Sequence, residues 1–380
     1  MNRIHSTHSD KRSLSILLTK YGRRLYPPLL AIFAALLLSG VVMLIMGYNP
    51  QNAYLALIEG AFGNMSAIGT TISKSLPLII GGMGVIIAYR AEVFNIGVEG
   101  QMIMGGIFTC WVATRITGLP SILHIPLALA AGTTAGSLYA LLPAWLKAKR
   151  NINEVIVTLL LNYVAELILG WAIRGPLNEP GVGYARSSEV LPSAQLPILI
   201  PEMRFHPGLI IAVAVLLLGY FFMWHTVPGF KIRYVGANKR AAEASGVNLY
   251  KTIMTATLLS GAISGLAGSV HLLGTDHRLF ETFLDGFGYD AIAAATVGQL
   301  HPLGLFLGGL FFGSLRSGSN NILIEEGIPS TLIYVIQAFI ILFVLASYHV
   351  RFGLRWWKRE CHEDLESSMN NDQLINGMLG

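Results

Sequence analysis

Charge is scarce in this sequence. Asp, Glu, Lys and Arg make up 12% of the 380 residues while 53% are hydrophobic, about half the charged share of a soluble domain. That balance excludes an ordinary soluble enzyme. Cysteine is scarcer still: Cys110 lies in an apolar run and Cys361 in the polar tail, with no CxxC pair, so neither a disulfide nor a zinc site is indicated. There is no P-loop, HExxH, nucleophile constellation or paired-carboxylate pattern, and the 10 histidines lack metal spacing. The sequence therefore offers no metal centre, no cofactor site and no catalytic group.

What it has instead is apolar length. Mean hydropathy is +0.58, and apolar runs continue from near residue 28 to near residue 347 with only short polar breaks. Taking about 20 apolar residues per span, the sequence predicts helices over 28–47, 66–89, 98–116, 121–146, 153–173, 208–226, 251–273, 302–318 and 330–348. Bare backbone polar groups are not tolerated in lipid, so the spans must be helical. The expected fold is all-α, a polytopic bundle that stays in contact with membrane lipid.

The formal net charge of +5 and pI near 9.1 do not indicate nucleic acid, because the basic residues sit at the ends of apolar segments. Lys11, Arg12, Lys20, Arg23 and Arg24 precede the first run, which lacks a small-x-small cleavage site and reads as an uncleaved span. Lys147, Lys149 and Arg150, the 229–250 loop and the Arg351 to Arg359 stretch are also basic. The positive-inside rule places all four in the cytoplasm. The 48–65 loop, without Lys or Arg, and the Pro- and Gly-rich 174–207 segment belong outside. This gives a basic tail over 1–27, a membrane domain over 28–350 and a polar tail over 351–380, with both termini cytoplasmic in an inner or plasma membrane.

Nine crossings would set the two basic tails on opposite faces. A tenth, short or broken span resolves the conflict, and 286–300 supplies it: an alanine-rich stretch too short to cross, followed at once by glycine-rich 303–313. Gly-Gln precedes or enters a small-residue segment at Gly100-Gln101 and again at Gly298-Gln299. Two weakly repeated halves, with broken elements in corresponding positions, are a transporter pattern.

Three groups of residues invite a functional reading. Between two apolar runs, Asn95, Glu99 and Gln101 either line an aqueous path or brace the domain, since polar groups there are costly in lipid. Inside the spans, Lys74 and Glu166 are expected to pair, Asn162 to hydrogen-bond a solute and Asp290 to cap the half-helix, where the dipole favours a carboxylate. In the 229–250 loop, Lys239, Arg240, Ala241, Ala242, Glu243, Ala244 and Ser245 favour a short helix that Gly246 terminates. Exposed Ala241, Ala242 and Ala244 with charges beside them suit a groove on a cytoplasmic partner.

Glu243-Ala244-Ser245-Gly246 after Lys239-Arg240-Ala241-Ala242 resembles the coupling loop of ABC importer permeases, whose usual core is Glu-Ala-Ala followed after a short gap by Gly. Further segments strengthen it: Phe94-Asn95-Ile96-Gly97-Val98-Glu99-Gly100-Gln101, Leu160-Leu161-Asn162-Tyr163, Gly175-Pro176, Pro180-Gly181-Val182-Gly183 and His301-Pro302-Leu303-Gly304. From about residue 60 to 350 the chain resembles the permeases of ribose, branched-chain amino acid and nucleoside importers, nearest the nucleoside and simple-sugar branch. Ser245 in the coupling core and the long basic N-terminus depart from that pattern.

The resemblance implies a non-catalytic transport subunit, a second permease subunit (related or identical), a cytoplasmic ATPase with two nucleotide-binding domains and an extracytoplasmic solute-binding protein. The rival expectation is a secondary transporter titrating Glu99, Glu166 or Asp290 under an ion gradient. A membrane-embedded enzyme would need Asp, His or Ser clustered at one membrane face, which the sequence does not show.

Overall fold

The computed structural model describes residues 30–329, 331–344 and 346, so the two tails lie outside the described residues. Two compact units are present: residues 51–333, and a second whose described residues are 30–50, 334–344 and 346. The described part of the second unit is mostly helical, with α1 (Leu30–Ile45) and most of α14 (Leu332–Val344).

Among the described residues the larger unit holds twelve further α-helices: α2 (Pro50–Phe62), α3 (Met65–Tyr89), α4 (Val98–Arg115), α5 (Ser121–Tyr139), α6 (Leu141–Arg150), α7 (Glu154–Arg174), α8 (Gly208–His225), α9 (Val227–Ala237), α10 (Lys239–Ala244), α11 (Leu249–His271), α12 (Phe287–Val297) and α13 (Pro302–Glu326). The described residues contain isolated bridges but no sheet. Five helical stretches are long and apolar enough to cross a membrane, those starting at Met65, Ser121, Glu154, Gly208 and Leu249.

Polar residues immediately before the apolar runs set the helix starts. The side chains of Asn64, Asn153, Asn238 and Asn248 each accept a backbone N–H of the following first turn, which satisfies a donor the helix itself cannot. Helix α3 packs against α11, α12 and α13, and α11 also packs against α4 and α5. At the α11 crossing the backbones touch: a Cβ on Gly265 would lie 2.3 Å from the Gly132 carbonyl oxygen, and one on Gly105 2.3 Å from that of Gly265. Small residues permit such an approach, and dispersion and polar contacts between helices replace the hydrophobic effect inside lipid. The Thr109 hydroxyl donates to Ser269 Oγ at 2.7 Å across the same α4–α11 seam.

Several boundaries differ from the sequence reading for identifiable reasons. The expected single helix over 121–146 is two, α5 and α6, meeting at Ala140; Pro143 has no N–H to bond the carbonyl of Tyr139. The expected 48–65 loop contains α2, which buries Ala53, Ala56, Leu57 and Ala61 at helical spacing but is too short to span. Helix α13 runs eight residues past 318. The half-helix is present as α12, joined to α13 by a turn in which Gln299 and Leu300 have φ of 60° and 51°. Gly100 and Gln101 lie in the first turn of α4, whereas Gly298 and Gln299 lie in that turn.

The 174–207 segment is irregular but tied down. Ser187, Val190 and Leu196 donate backbone N–H groups to Leu279, His277 and Leu273 in the stretch after α11. Arg278 reaches Glu179 at 2.5 Å and Glu189 at 2.7 Å. The Arg278 hydrogen bond holds the Glu189 carboxyl below the usual carboxylate range.

Candidate polar junction and coupling helix

The residues singled out between α3 and α4 form a closed hydrogen-bond network. Asn95 is fully buried; its Nδ2 donates to Gln101 Oε1 at 3.0 Å and to Ser260 Oγ on α11 at 2.9 Å. Its Oδ1 accepts the Gly97 N–H at 3.0 Å and Gln101 Nε2 at 3.2 Å. One amide thus spends both ends joining the 90–97 turn, α4 and α11, as a buried amide must to offset its desolvation. Asn162 does the same from α7. Its Oδ1 accepts the Gly100 N–H at 3.0 Å, and its Nδ2 donates to the Ile96 carbonyl at 3.0 Å and the Tyr289 hydroxyl at 3.1 Å.

The half-helix is held from both sides. Glu99, on α4, accepts the backbone N–H of Gly286 at 2.7 Å and that of Gly288 through its other oxygen. On the opposite side Arg316 of α13 donates to Asp290 at 2.5 Å and to the Asp285 carbonyl at 2.8 Å, with its guanidinium 3.9 Å over the Phe287 ring. The carboxylate at the half-helix N-terminus is therefore Glu99, brought by a neighbouring helix. Asp290 is not the cap: it sits one residue beyond the free amides and faces Arg316. This corrects the sequence expectation.

A second correction concerns Lys74. Its ammonium donates to the Arg316 carbonyl at 3.0 Å, while Glu166 lies on the exposed side of α7. The expected Lys74–Glu166 pair does not form among the described residues: Lys74 turns to the α13 backbone and Glu166 is exposed. Sequence reading also missed Ser260, Tyr289 and Arg316. Arg316 was findable, since an arginine inside an apolar glycine-rich helix demands a partner. Ser260 and Tyr289 carried no signal, as one hydroxyl among many in an apolar helix looks like any other.

The charged loop forms the short helix α10. Asn238 caps it by accepting the Ala241 N–H at 3.0 Å. It ends in a Schellman turn, with the Gly246 N–H donating to Glu243 O at 2.9 Å and that of Val247 to Ala242 O at 3.0 Å, Gly246 taking φ +79°. Ala242 is buried rather than exposed, a third correction: in a helix seated along the bundle one side must turn inward, and the alanine carries the least bulk. Arg240, Glu243, Ala244, Ser245 and Gly246 face outward.

Helix α10 is tied to the bundle end that bears the 90–97 turn. Lys239 pairs with Glu92 at 2.9 Å, and the Tyr234 hydroxyl bonds Ser245 Oγ at 2.9 Å. Nearby, Lys147 pairs with Glu154 at 2.7 Å, and Glu154 also accepts the Phe94 N–H at 3.1 Å. Glu92, Phe94, Lys147, Asn151, Asn153, Glu154, Val155 and Lys239 line an open groove of about 410 Å³, with the Phe94 ring about half exposed in it.

A chain carrying a capped surface helix beside such a groove, on a bundle of spanning helices, has a matching family. Residues 67–345 match the family model described as branched-chain amino acid transport system, permease component. The chain belongs to that permease family. It is a multi-pass membrane protein and an ABC transporter permease subunit, and the ion-gradient expectation gives way to this assignment.

Among curated relatives of this permease, the guanosine ABC transporter permease protein NupP of Bacillus subtilis is 37% identical over 336 residues, covering 88% of this chain and 96% of the relative. The glucose ABC transporter permease protein TsgB13 of Haloferax volcanii is 33% identical over 330 residues, 84% of this chain and 87% of its own. The nucleoside ABC transporter permease protein NupB of Lactococcus lactis is 29% identical over 341 residues, 87% and 93% respectively. No solved structure matches.

Proposed function

We propose that this permease carries a nucleoside, with guanosine the first candidate, inward across a bacterial inner membrane, both of its termini lying in the cytoplasm. Two of the relatives are named for guanosine or nucleoside transport and one for glucose, so a simple sugar is the second candidate. The permease works with a second permease subunit, a cytoplasmic ATPase with two nucleotide-binding domains and an extracytoplasmic binding protein docking on the 174–207 side. It hydrolyses nothing itself.

The observation that carries the coupling role is α10: capped at both ends, joined to the 90–97 turn through Lys239–Glu92, and edged by a groove containing Phe94. A rigid helix of this kind transmits a push. ATP-driven closure of the partner would move α10, and through Glu92 and Arg90, whose guanidinium donates to Leu300 O at 3.0 Å, reach the α12–α13 turn. Asn95, Glu99, Gln101, Asn162 and Asp290 then form the junction that shifts as a unit along the translocation path. Alternating access needs such rigid blocks moving around a fixed site.

Uptake of labelled guanosine in cells carrying the full set of subunits tests this reading, with unlabelled nucleosides and sugars as competitors. Glu243→Arg and Gly246→Pro, at normal membrane abundance, are expected to abolish uptake. Unchanged uptake in both variants would remove α10 from the coupling path.

A further inference from the structure

Helix α7 raises a problem that its own bundle does not solve. It is one of the five stretches able to cross a membrane, and Glu166 stands 12 residues after its first residue and eight before its last, about 18 Å and about 12 Å from the ends at the helical rise. Both distances exceed the reach of a glutamate side chain, so the carboxylate cannot snorkel to either interface. Yet Glu166 is exposed and forms no ion pair among the described residues. An exposed carboxylate at that depth is too costly against lipid; it must face water or protein.

Its surroundings say which edge of α7 this is. Buried Asn162 lies one turn earlier, and Ile173 is buried at the same angular position two turns later. Tyr163 beside it and Tyr289 from α12 are both exposed aromatic residues, and the Tyr289 phenol accepts a hydrogen bond from Asn162, one turn before Glu166. Short of Arg174 at its last position, the rest of the exposed side of α7, with Ile156, Leu159, Leu160, Val164, Leu167 and Trp171, is apolar. Val164 sits about 160° around the helix from Glu166. The polar strip is confined to the edge that adjoins the half-helix.

We propose that Glu166, flanked by Tyr163 and Tyr289, lines a water-filled path between this subunit and the second permease subunit and accepts hydrogen bonds from N–H or O–H groups of the passing solute. The inference rests on the importer reading. A carboxylate is an acceptor-only group that engages two adjacent donors at once, and both a purine N–H edge and vicinal hydroxyls present such a pair. The tyrosine rings supply flat surface and hydroxyls on either side, the apolar wall with few placed polar groups that small-molecule sites use.

The test uses the assembled complex in proteoliposomes, with both native cysteines replaced by serine and single cysteines at 166, 163 or 164. Glu166→Cys and Tyr163→Cys are expected to react with a charged methanethiosulfonate at least about tenfold faster than Val164→Cys, and to slow several-fold with guanosine or with glucose. Protection by guanosine alone assigns the base edge; protection by both assigns the hydroxyls. Should Glu166→Cys accumulate poorly, Tyr163→Cys on the same strip gives the answer. Labelling as slow as at 164, or undiminished by either solute, in a complex whose uptake still requires ATP overturns the proposal. Uptake that follows an ion gradient instead would overturn the importer reading beneath it.

Discussion

Glu99 on α4 accepts the backbone N–H of Gly286 at 2.7 Å, across 187 positions of sequence. With the neighbouring Gly288 amide on its other oxygen, this one carboxylate occupies the N-terminal end of the half-helix, where unpaired donors and the helix dipole both favour negative charge. The contact makes α12 part of the α4 framework.

Glu99→Ala strands two amides and is expected to cost about 3 kcal/mol. Glu99→Gln keeps one acceptor and should cost roughly half as much. Thermal unfolding of the detergent-solubilised protein checks the order wild type, Gln, Ala; equal stability of all three would remove the capping role.

Arg316 and Asp290 form a mostly buried pair, with side-chain exposures of 13% and 8%. Asp290→Ala should destabilise by about 3 kcal/mol or more, because it leaves a buried guanidinium uncompensated. Arg316→Met with Asp290→Leu is expected to recover most of the loss. A double variant worse than either single change would contradict the pairing.

Lys239 and Glu92 are largely exposed, so breaking their bridge should change stability by less than about 1 kcal/mol. Uptake is expected to fall severalfold in Lys239→Glu at unchanged abundance and to return in the Lys239→Glu, Glu92→Lys exchange. The exchange failing to restore uptake would show that the link does not transmit motion.

Gly265→Ala puts a methyl 2.3 Å from the Gly132 carbonyl oxygen. A backbone atom cannot yield as a side chain does, so a loss of at least about 2 kcal/mol is expected. Gly118→Ala, whose Cβ would meet nothing within 4 Å but whose φ is +83°, should cost about 1 kcal/mol through the backbone alone.

His206 lies at the end of the 174–207 segment, two residues before α8, and burial first, then the neighbouring His271 and His277, push its imidazole down to about 4. The folded state therefore binds this proton more weakly than the unfolded chain, whose histidine titrates at about 6.5. Stability is full above that pH and falls as pH drops from about 6.5 to about 4, by on the order of 3 kcal/mol. Melting temperatures across that range, compared with His206→Gln, should show a slope in the wild type that the variant flattens.

Much of the bundle was legible because apolar length and helix-capping residues are local signals. The half-helix was legible from its shortness, and α10 from its charged, alanine-rich run ending at Gly246. What was not legible was partnership. Asn95, Glu99 and Asn162 could be marked as costly, but Ser260 meets Asn95, Gly286 and Gly288 meet Glu99, and Tyr289 meets Asn162 only through the packing of α4, α7, α11 and α12. Asp290 and Glu99 were both candidates for one helix end, and the sequence could not rank a residue in the helix against one 187 positions away. Lys74 and Glu166 were paired on charge alone, which ignores the face each occupies.

The measurement that bears most directly on the central claim is simultaneous ATP hydrolysis and guanosine uptake in proteoliposomes holding this permease and its companion subunits, for wild type and Glu243→Arg. The account predicts uptake that requires ATP, persists when proton and sodium gradients are collapsed, and disappears in the variant although the protein assembles. Uptake that follows an ion gradient, with Glu243→Arg indistinguishable from wild type, would contradict it.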